Sequence, residues 1–409
     1  MDCFVFLQSQ SNDAEEGRDM TEDEKLNLNL SERLLNLMLD EKVTFEKKKG
    51  KMDYLINLKA DVNAIVYGKS LALWVKEFGD ENLIKYVKER GGVENQISKK
   101  ESEELGKQFW DDEGEVKSFK EIKELVLMGA DLSVKNNRYK HIWKFLSFEE
   151  MNDILKNLPK GYVIDGDVDL SEKGLTELPD FSKIKVKGYF DCSENQLTDL
   201  KGAPSTVGGG FHCYKNQLTT LEGAPSEVGG TFNCSSNQLT TLEGVPIEVN
   251  GYFDCSNNQL TDLKGAPSKV GWNFNCEENR LTSLEGAPSE VGGSFYCDNN
   301  QLTTLQGAPS KVGGYFWCCK NQLTTLEGAP LKVGGNFWCF ENQLTDLKGA
   351  PKEVGGDFDC RENQLVTLEG KPKKIGGWFV VEKKVLKKFE YKKENKSIWE
   401  RMFGGNDGM

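Results

Sequence analysis

Residue types that could do chemistry are few in this chain, and most of them share one spacing. The chain has two histidines, His141 and His212, and eleven cysteines. Nine cysteines recur at 21-residue intervals: Cys192, Cys213, Cys234, Cys255, Cys276, Cys297, Cys318, Cys339 and Cys360. Such regular placement predicts a column of small, buried side chains. An odd number of like positions pointing inward in parallel favours free thiols in a reducing compartment over disulfides.

Cys319 is the one cysteine of the repeat block outside that column, and it is therefore the natural candidate nucleophile. A cysteine nucleophile needs a base within hydrogen-bond reach. His212 lies five repeats away, roughly 24 Å at the spacing of neighbouring strands. The cysteines also lack the paired short spacings of zinc sites, and no phosphate-binding loop or nucleophile elbow is present. We therefore expect no catalytic residue, metal or cofactor; the alternative is an enzyme with an unrecognised site in the helical N-terminal half.

Residues 188–376 are nine copies of one 21-residue unit without insertion or deletion. Units of this length bury their apolar face only by stacking on neighbours, so the block predicts a solenoid. In the first copy, alternation of Phe190 and Cys192 predicts a strand with one buried face. Asn195 stands where the strand turns and can satisfy backbone groups there. The leucines that follow, Leu197 and Leu200, are expected to fill the core.

The frame Phe-x-Cys-x-x-Asn-x-Leu-x-x-Leu resembles the leucine-rich repeat. Its length and its Asn-Gln-Leu-Thr-x-Leu phrase are similar to the short bacterial repeats of type III effectors. The Gly-Ala-Pro-x-x-Val-Gly-Gly return leg is like that of repeat proteins from phages and uncultured bacteria. The resemblance implies a solenoid with a parallel β-sheet on its concave face, one strand per repeat, and extended or 3₁₀ segments on the convex side. It also implies binding rather than catalysis.

Residues 28–160 carry a helical pattern, and residues 68–87 are predicted to form two short amphipathic helices broken at Gly79-Asp80. The Gly-x-Ser-Leu start of that stretch and the Gly-Ala-Asp sequence at 129–131 resemble ankyrin repeats, although Ser70-Leu71-Ala72-Leu73 replaces the family's Thr-Pro-Leu-His. The resemblance implies a stack of helix pairs used for protein binding. Another solenoid of paired helices remains an alternative. The predicted fold class is thus an α+β repeat protein, with an ankyrin-like helical solenoid before the leucine-rich-type solenoid.

Three further segments complete the predicted organisation. Residues 1–27 are acidic and poor in apolar residues, which predicts a disordered arm. Residues 161–187 are expected to form a linker and an N-terminal cap coil, with Gly174 at the asparagine position. Residues 377–409 begin with a last strand and continue as a basic tail. Within this tail, residues 395–403 could form a helix that caps the solenoid, or the tail could bind an acidic partner or lipid surface.

The repeats differ most in the side chains that alternate with the buried Phe and Cys, which are expected on the concave face. The first five copies carry mostly small polar residues there. The sixth to eighth copies instead place a set of aromatic residues and one cysteine on neighbouring strands: Tyr296, Tyr315, Trp317, Cys319, Trp338 and Phe340. A contiguous exposed aromatic patch is typical of a protein-binding hot spot. The alternative is that the rings stack only to stabilise the sheet.

The net charge of −13 argues against a general nucleic-acid binder, and no apolar run approaches the ~18 residues of a membrane span. The start of the sequence lacks the features of a secretory signal, so a cytoplasmic protein is expected. The predicted function is non-enzymatic: a monomeric scaffold that binds an unidentified protein on its concave face. The alternative is a microbial effector or phage-encoded inhibitor that acts on a host protein in the host cytosol.

Overall fold

The computed structural model describes residues 22–40, 44–57, 60, 65–66, 69–70, 74, 81–89, 99–110, 116–133, 135 and 141–382. Most of the predicted acidic arm and the predicted capping helix at 395–403 lie outside these residues. The chain divides into two compact units. The first comprises Met1–Asp169 and Pro179–Gly188, and the second comprises Leu170–Leu178 and Tyr189–Met409.

The first unit contains the helices that the sequence pattern predicts. Their bounds are Glu22–Met38 (α1), Phe45–Asn57 (α2), Glu81–Glu89 (α3), Lys99–Lys107 (α4), Phe119–Leu127 (α5) and Phe148–Asn157 (α6), with a 3₁₀ turn at Ile142–Lys144. The prediction of helix from residue 68 onward is wrong at its start. Lys69–Ser70 pairs antiparallel with Ile65–Val66, where β-branched residues favour extended backbone. The second of the two predicted helices is α3, and the ankyrin assignment stays a prediction.

The ends of these helices follow from local sequence. Ser118 and Glu121 form a capping box at the start of α5, and Ser147 and Glu150 form one at the start of α6. Helix α5 ends at Leu127, and Gly129, just beyond the C-cap Met128, has a left-handed φ of 98°. There the Gly129 N–H donates to Val126 O at 2.9 Å and the Ala130 N–H to Leu125 O at 3.0 Å. The Gly-Ala-Asp sequence therefore terminates a helix, as its composition predicts.

The repeat block is a parallel β-solenoid in which each coil carries two short strands rather than one. We call them the Phe strand and the Val strand. The Phe strands of the second unit are Phe190–Asp191, Phe211–His212, Phe232–Asn233, Phe253–Asp254, Phe274–Asn275, Phe295–Tyr296, Phe316–Trp317, Phe337–Trp338, Phe358–Asp359 and Phe379–Val380. Its Val strands are Thr206–Val207, Glu227–Val228, Glu248–Val249, Lys269–Val270, Glu290–Val291, Lys311–Val312, Lys332–Val333, Glu353–Val354 and Lys374–Ile375. Three similar strands, Val163–Ile164, Val168–Asp169 and Lys185–Val186, belong to the first unit.

The second strand corrects the expectation of one strand per coil. It was missed because only its valine is buried, as in the exposed-buried pair Lys311–Val312, so its period-2 pattern is too short to stand out. Each type of strand pairs in parallel with its counterpart in the next coil, in strict register, as in Phe295 opposite Phe316 and Glu290 opposite Lys311. Bends and turns, rather than 3₁₀ segments, join the strands of the second unit in its described part.

Identical side chains stack along the core. The phenylalanine rings of successive coils lie with centroids 5.2 to 5.8 Å apart, and the leucines at the Leu197 and Leu200 positions are completely buried in most coils. Each repeat cysteine is buried, and its thiol donates to a carbonyl of the next coil, as Cys276 Sγ does to Tyr296 O at 3.2 Å. All described cysteines are free. The predicted packing column of thiols is therefore present.

The buried asparagine of each coil ties neighbouring coils together. Asn237 Nδ2 donates to the carbonyls of Cys213 in the preceding coil and of Cys234 and Ser235 in its own, at 3.0 to 3.1 Å. Its Oδ1 accepts the Leu218 N–H at 3.0 Å. One carboxamide thus satisfies four backbone groups that the turn removes from regular pairing, as the sequence position suggests.

The glycines of each coil serve two different purposes. Those at the Gly202 position, before Ala-Pro, have a left-handed φ. Those at the Gly208 position instead permit close stacking of the coils. A Cβ on Gly292 would lie 2.0 Å from Gly271 O in the preceding coil, so a larger residue would separate the two coils locally.

Candidate functional site

The aromatic residues singled out from the sequence lie on adjoining Phe strands. Tyr296 is opposite Trp317, and Trp317 is opposite Trp338. Because the phenylalanine that precedes each of them is buried, these side chains project from the other face of the sheet, which we call the open face. Tyr315 and Phe340 stand two residues from Trp317 and Trp338 on the same face. We call Tyr296, Tyr315, Trp317, Trp338 and Phe340 the aromatic patch.

The five rings of the aromatic patch form one connected cluster centred on Trp317. Its indole stacks on that of Trp338, with ring centroids 4.5 Å apart and planes 10° apart. Tyr296 meets Trp317 edge to face at 4.9 Å, and Tyr315 lies nearly parallel to it at 6.2 Å. Phe340 extends the cluster from Trp338 at 6.2 Å. These spacings are those of favourable aromatic pairs, so the surface is ordered before any partner binds.

The cluster remains partly open to solvent although its rings contact one another. Tyr315 is 43% exposed, and the other four side chains are half-buried. The Trp317 Nε1–H is enclosed and has no hydrogen-bond partner. Indole N–H groups usually find a partner when buried, so this donor is a local departure from good packing.

Cys319 differs from the other predicted contact residues because it is only 4% exposed. Its thiol donates to Trp338 O at 3.3 Å, and burial raises the pKa of the thiol well above its usual value. A buried, protonated thiol is a poor nucleophile and offers a partner almost no surface. Cys319 therefore packs below the aromatic patch, and it does not form part of the accessible surface.

Two carboxylates at one edge of the aromatic patch were not among the predicted site residues. Asp298 and Glu277 occupy equivalent positions in adjoining coils, two residues after Tyr296 and Asn275. Asn299 Nδ2 donates to Asp298 Oδ2 at 3.2 Å, whereas Asp298 Oδ1 is enclosed without a partner. Burial and the neighbouring charge of Glu277 raise the pKa of Asp298 to about 6. The sequence signal was available, because acidic residues replace serine in this column only next to the aromatic coils.

At the opposite edge of the aromatic patch, an arginine of the chain forms an ion pair with a carboxylate. Asp359 is buried on the open face, and Arg361 donates to it from Nη2 at 2.6 Å and from Nε at 3.0 Å. This is a bidentate, charge-assisted interaction between a guanidinium and a carboxylate. The two edges therefore differ in charge: one carries a compensated pair, and the other carries two acids.

The structure does not bring the two histidines of the chain to Cys319. His212 is on the open face five coils from Cys319, between Tyr189 at 5.8 Å and Tyr214 at 6.4 Å between ring centroids, and burial lowers its pKa. His141 is buried in the first unit. Within the described ranges, no group of three or more His, Cys, Asp or Glu side chains is placed to hold a metal ion. No helix within them is long and apolar enough to cross a membrane.

Neither the protein-family models nor the curated proteins include a match to this chain. Among solved structures, it is similar to YopM, a leucine-rich effector protein from Yersinia pestis, at 21% identity over 52% of this chain and 61% of that one, with a TM-score of 0.38. The APL1 leucine-rich repeat domain shares 20% identity over 53% of this chain and 60% of that one, with a TM-score of 0.39. YopM from Yersinia enterocolitica shares 18% identity over 53% and 64%, with a TM-score of 0.27.

This chain covers less than two thirds of each of those proteins. The repeat block is of the leucine-rich type by its own structure. Parallel strands, buried leucines and the asparagine at the strand turn occupy the positions that the repeat frame predicts.

Proposed function

We propose that this leucine-rich-type solenoid is a protein-interaction scaffold and that the aromatic patch is its main contact surface. The observation that carries the proposal is the stacked pair of Trp317 and Trp338, 4.5 Å apart and still partly exposed. Tryptophan and tyrosine dominate the binding energy of protein interfaces because each buries a large area at a small entropic cost. The first two coils carry a smaller group of rings on the same face, Tyr189, His212 and Tyr214, which contains no tryptophan.

The proposal gives the solenoid a binding function and no catalytic step. Burial raises the pKa of every repeat cysteine, including Cys276 and Cys318, so these thiols stay protonated near neutral pH. The side chains that recur in every coil serve packing, whereas those on the open face vary. Surface variation on a rigid scaffold is the usual way in which repeat proteins acquire a partner.

A pull-down with matched variants tests the proposal. The full chain, the Trp317→Ala/Trp338→Ala variant and the Trp272→Ala/Trp378→Ala variant are each used as bait in a lysate of the source organism. The control also loses two tryptophans, which are 69% exposed and lie outside the aromatic patch. We expect the same proteins to bind the full chain and the control, and to be lost from the patch variant.

The competing interpretation is that the rings only stabilise the sheet. In that case the patch variant would have a lower unfolding midpoint but would retain the same proteins as the full chain. Circular dichroism of all three baits, recorded at the temperature of the pull-down, separates loss of binding from loss of fold. Unchanged capture by a folded patch variant would refute the proposed surface.

A further inference from the structure

The carboxylates at the acidic edge of the aromatic patch have no ion-pair partner within the described part of the chain. Among the described residues, neither Asp298 nor Glu277 forms an ion pair with a lysine or arginine, although pairs such as Lys264–Glu285 occur elsewhere on the solenoid. The charges that act on the pKa of Asp298 are those of Glu277 and Glu278, which raise it, and that of Lys320, which lowers it by less than Glu277 raises it. Like charges that are half-buried on adjoining strands repel each other, so the two carboxylates of this edge are electrostatically unfavourable in the folded chain.

The same open face shows how a cation would correct this imbalance. In the ninth coil, Arg361 lies over Asp359 and satisfies both carboxylate oxygens. In the sixth coil the corresponding two positions are Tyr296 and Asp298, so an aromatic ring and a carboxylate are present but the guanidinium is not. A cation supplied from outside the chain would complete the arrangement.

The rings beside the carboxylates suit a cation as well. The faces of aromatic rings attract positive charge. An arginine side chain is especially suitable because its planar guanidinium can stack on a ring such as that of Tyr296 while it donates to a carboxylate. The net charge of −13 would also attract a basic partner at longer range.

We propose that the aromatic patch recognises a basic segment of its partner protein, with an arginine or lysine side chain lying over Tyr296 beside Asp298 and Glu277. This proposal rests on the proposed function, because it names the chemistry of the partner at that surface. The apolar neighbours of the basic residue would cover Trp338 and Phe340. Such a segment contributes charge complementarity at one edge and apolar burial at the other.

The test is binding of the dye-labelled full chain to an array of short random peptides, followed by fluorescence anisotropy with the best arginine peptide. The matched control peptide has citrulline in place of arginine, which removes the charge at nearly constant shape. We expect the arginine peptide to bind about tenfold more tightly than the citrulline peptide, as one charge-assisted contact predicts. The variant Asp298→Asn/Glu277→Gln should weaken the arginine peptide about tenfold and erase the difference between the two probes.

The control for total charge is Glu227→Gln/Glu248→Gln, which removes two exposed carboxylates on Val strands. It should leave both affinities unchanged. Equal binding of the arginine and citrulline peptides, or binding that Asp298→Asn/Glu277→Gln does not change, would refute the proposal of a basic partner. The aromatic patch would remain the proposed contact surface. If no array peptide binds in a way that depends on Trp317 and Trp338, the proposed function fails as well.

The same experiment distinguishes two other occupants of the aromatic patch, the chain's own basic tail and a second copy of the chain. A synthetic peptide of residues 383–401, which contains seven lysines and one arginine against three glutamates, is used as a competitor. If it displaces the array peptide and deletion of the tail strengthens peptide binding, the occupant is the chain's own tail, and the partner form of the proposal is wrong. Sedimentation that shows a dimer lost in Trp317→Ala/Trp338→Ala would likewise replace the partner with a second copy.

Discussion

Asp298 should make the folded protein less stable at neutral pH than it would be with a neutral side chain. The carboxyl has one enclosed oxygen without a partner and lies beside Glu277. Its pKa is raised from 3.8 to about 6 in the folded chain. Between these two values the folded state binds more protons than the unfolded state, so the stability contributed at this residue falls as the pH rises. Asp298→Asn, which cannot ionise, removes this dependence.

The size of the effect follows from the shift. A change from 3.8 to about 6 corresponds to at most ~3 kcal/mol of free energy of unfolding, at 1.36 kcal/mol for each unit. Asp298 is only half-buried, and solvent screening reduces the effect, so we expect about 1 kcal/mol. The full gain should be present above about pH 6, and it should disappear below about pH 4, where the aspartic acid is also neutral.

Urea unfolding of the full chain and of Asp298→Asn, followed by circular dichroism and tryptophan fluorescence, measures this difference across that pH range. Both probes are needed because coils of a repeat protein can unfold separately. Glu227→Gln removes one charge from an exposed position and serves as the control. A variant that is less stable than the parent near neutral pH, or a gain of the same size at about pH 4, would contradict the strain assigned to Asp298.

Three other predictions concern the coils themselves. Asn237→Ala removes three donated and one accepted hydrogen bond and should lower the free energy of unfolding by about 3 kcal/mol. The control, Gln238→Ala at the adjacent exposed residue, should change it by less than ~0.5 kcal/mol. Equal effects of the two variants in urea unfolding would contradict a stabilising role for the asparagine hydrogen bonds. Ser236 has a φ of 55°, and Ser236→Asn should raise the midpoint of unfolding slightly because asparagine tolerates left-handed backbone better; a lower midpoint would contradict this reasoning. Iodoacetamide at about pH 8 should leave Cys319 unmodified in the native chain, because burial keeps its thiol protonated; peptide mass spectrometry that finds rapid labelling would place this thiol at the surface.

The architecture of the repeat block is predictable from sequence because each core position recurs in every copy. Burial of Phe190 and Cys192 follows from the period-2 alternation, and the hydrogen bonds of the asparagines follow from their position at the turn. The second strand of each coil is not predictable in the same way, because its buried valine has no buried residue two positions away, whereas Phe190 has Cys192. The close approach of neighbouring coils at the glycines of the Gly208 position also leaves no local mark in the sequence.

The candidate site was predicted less completely, since contacts across coils decide which side chains are accessible. The five aromatic residues form one cluster as their columns suggest, but Cys319 shares their face and is nevertheless buried below Trp338. Asp298 can be recognised as important only from the structure, which shows its enclosed, unpartnered oxygen. Alternation in the sequence gives the face of a side chain; the size of the neighbouring rings determines its exposure.

The position of Asp298 also supports a functional interpretation of the aromatic patch over a purely structural one. If the rings existed only to stabilise the sheet, an uncharged side chain of the same shape, such as asparagine, would serve better than an acid that forms no ion pair. Asp298 instead leaves one enclosed oxygen unsatisfied. Local sacrifices of stability concentrate at functional sites, because binding groups must remain unsatisfied until the partner arrives. A stabilising Asp298→Asn variant that loses discrimination between the arginine and citrulline peptides would demonstrate both properties in one residue.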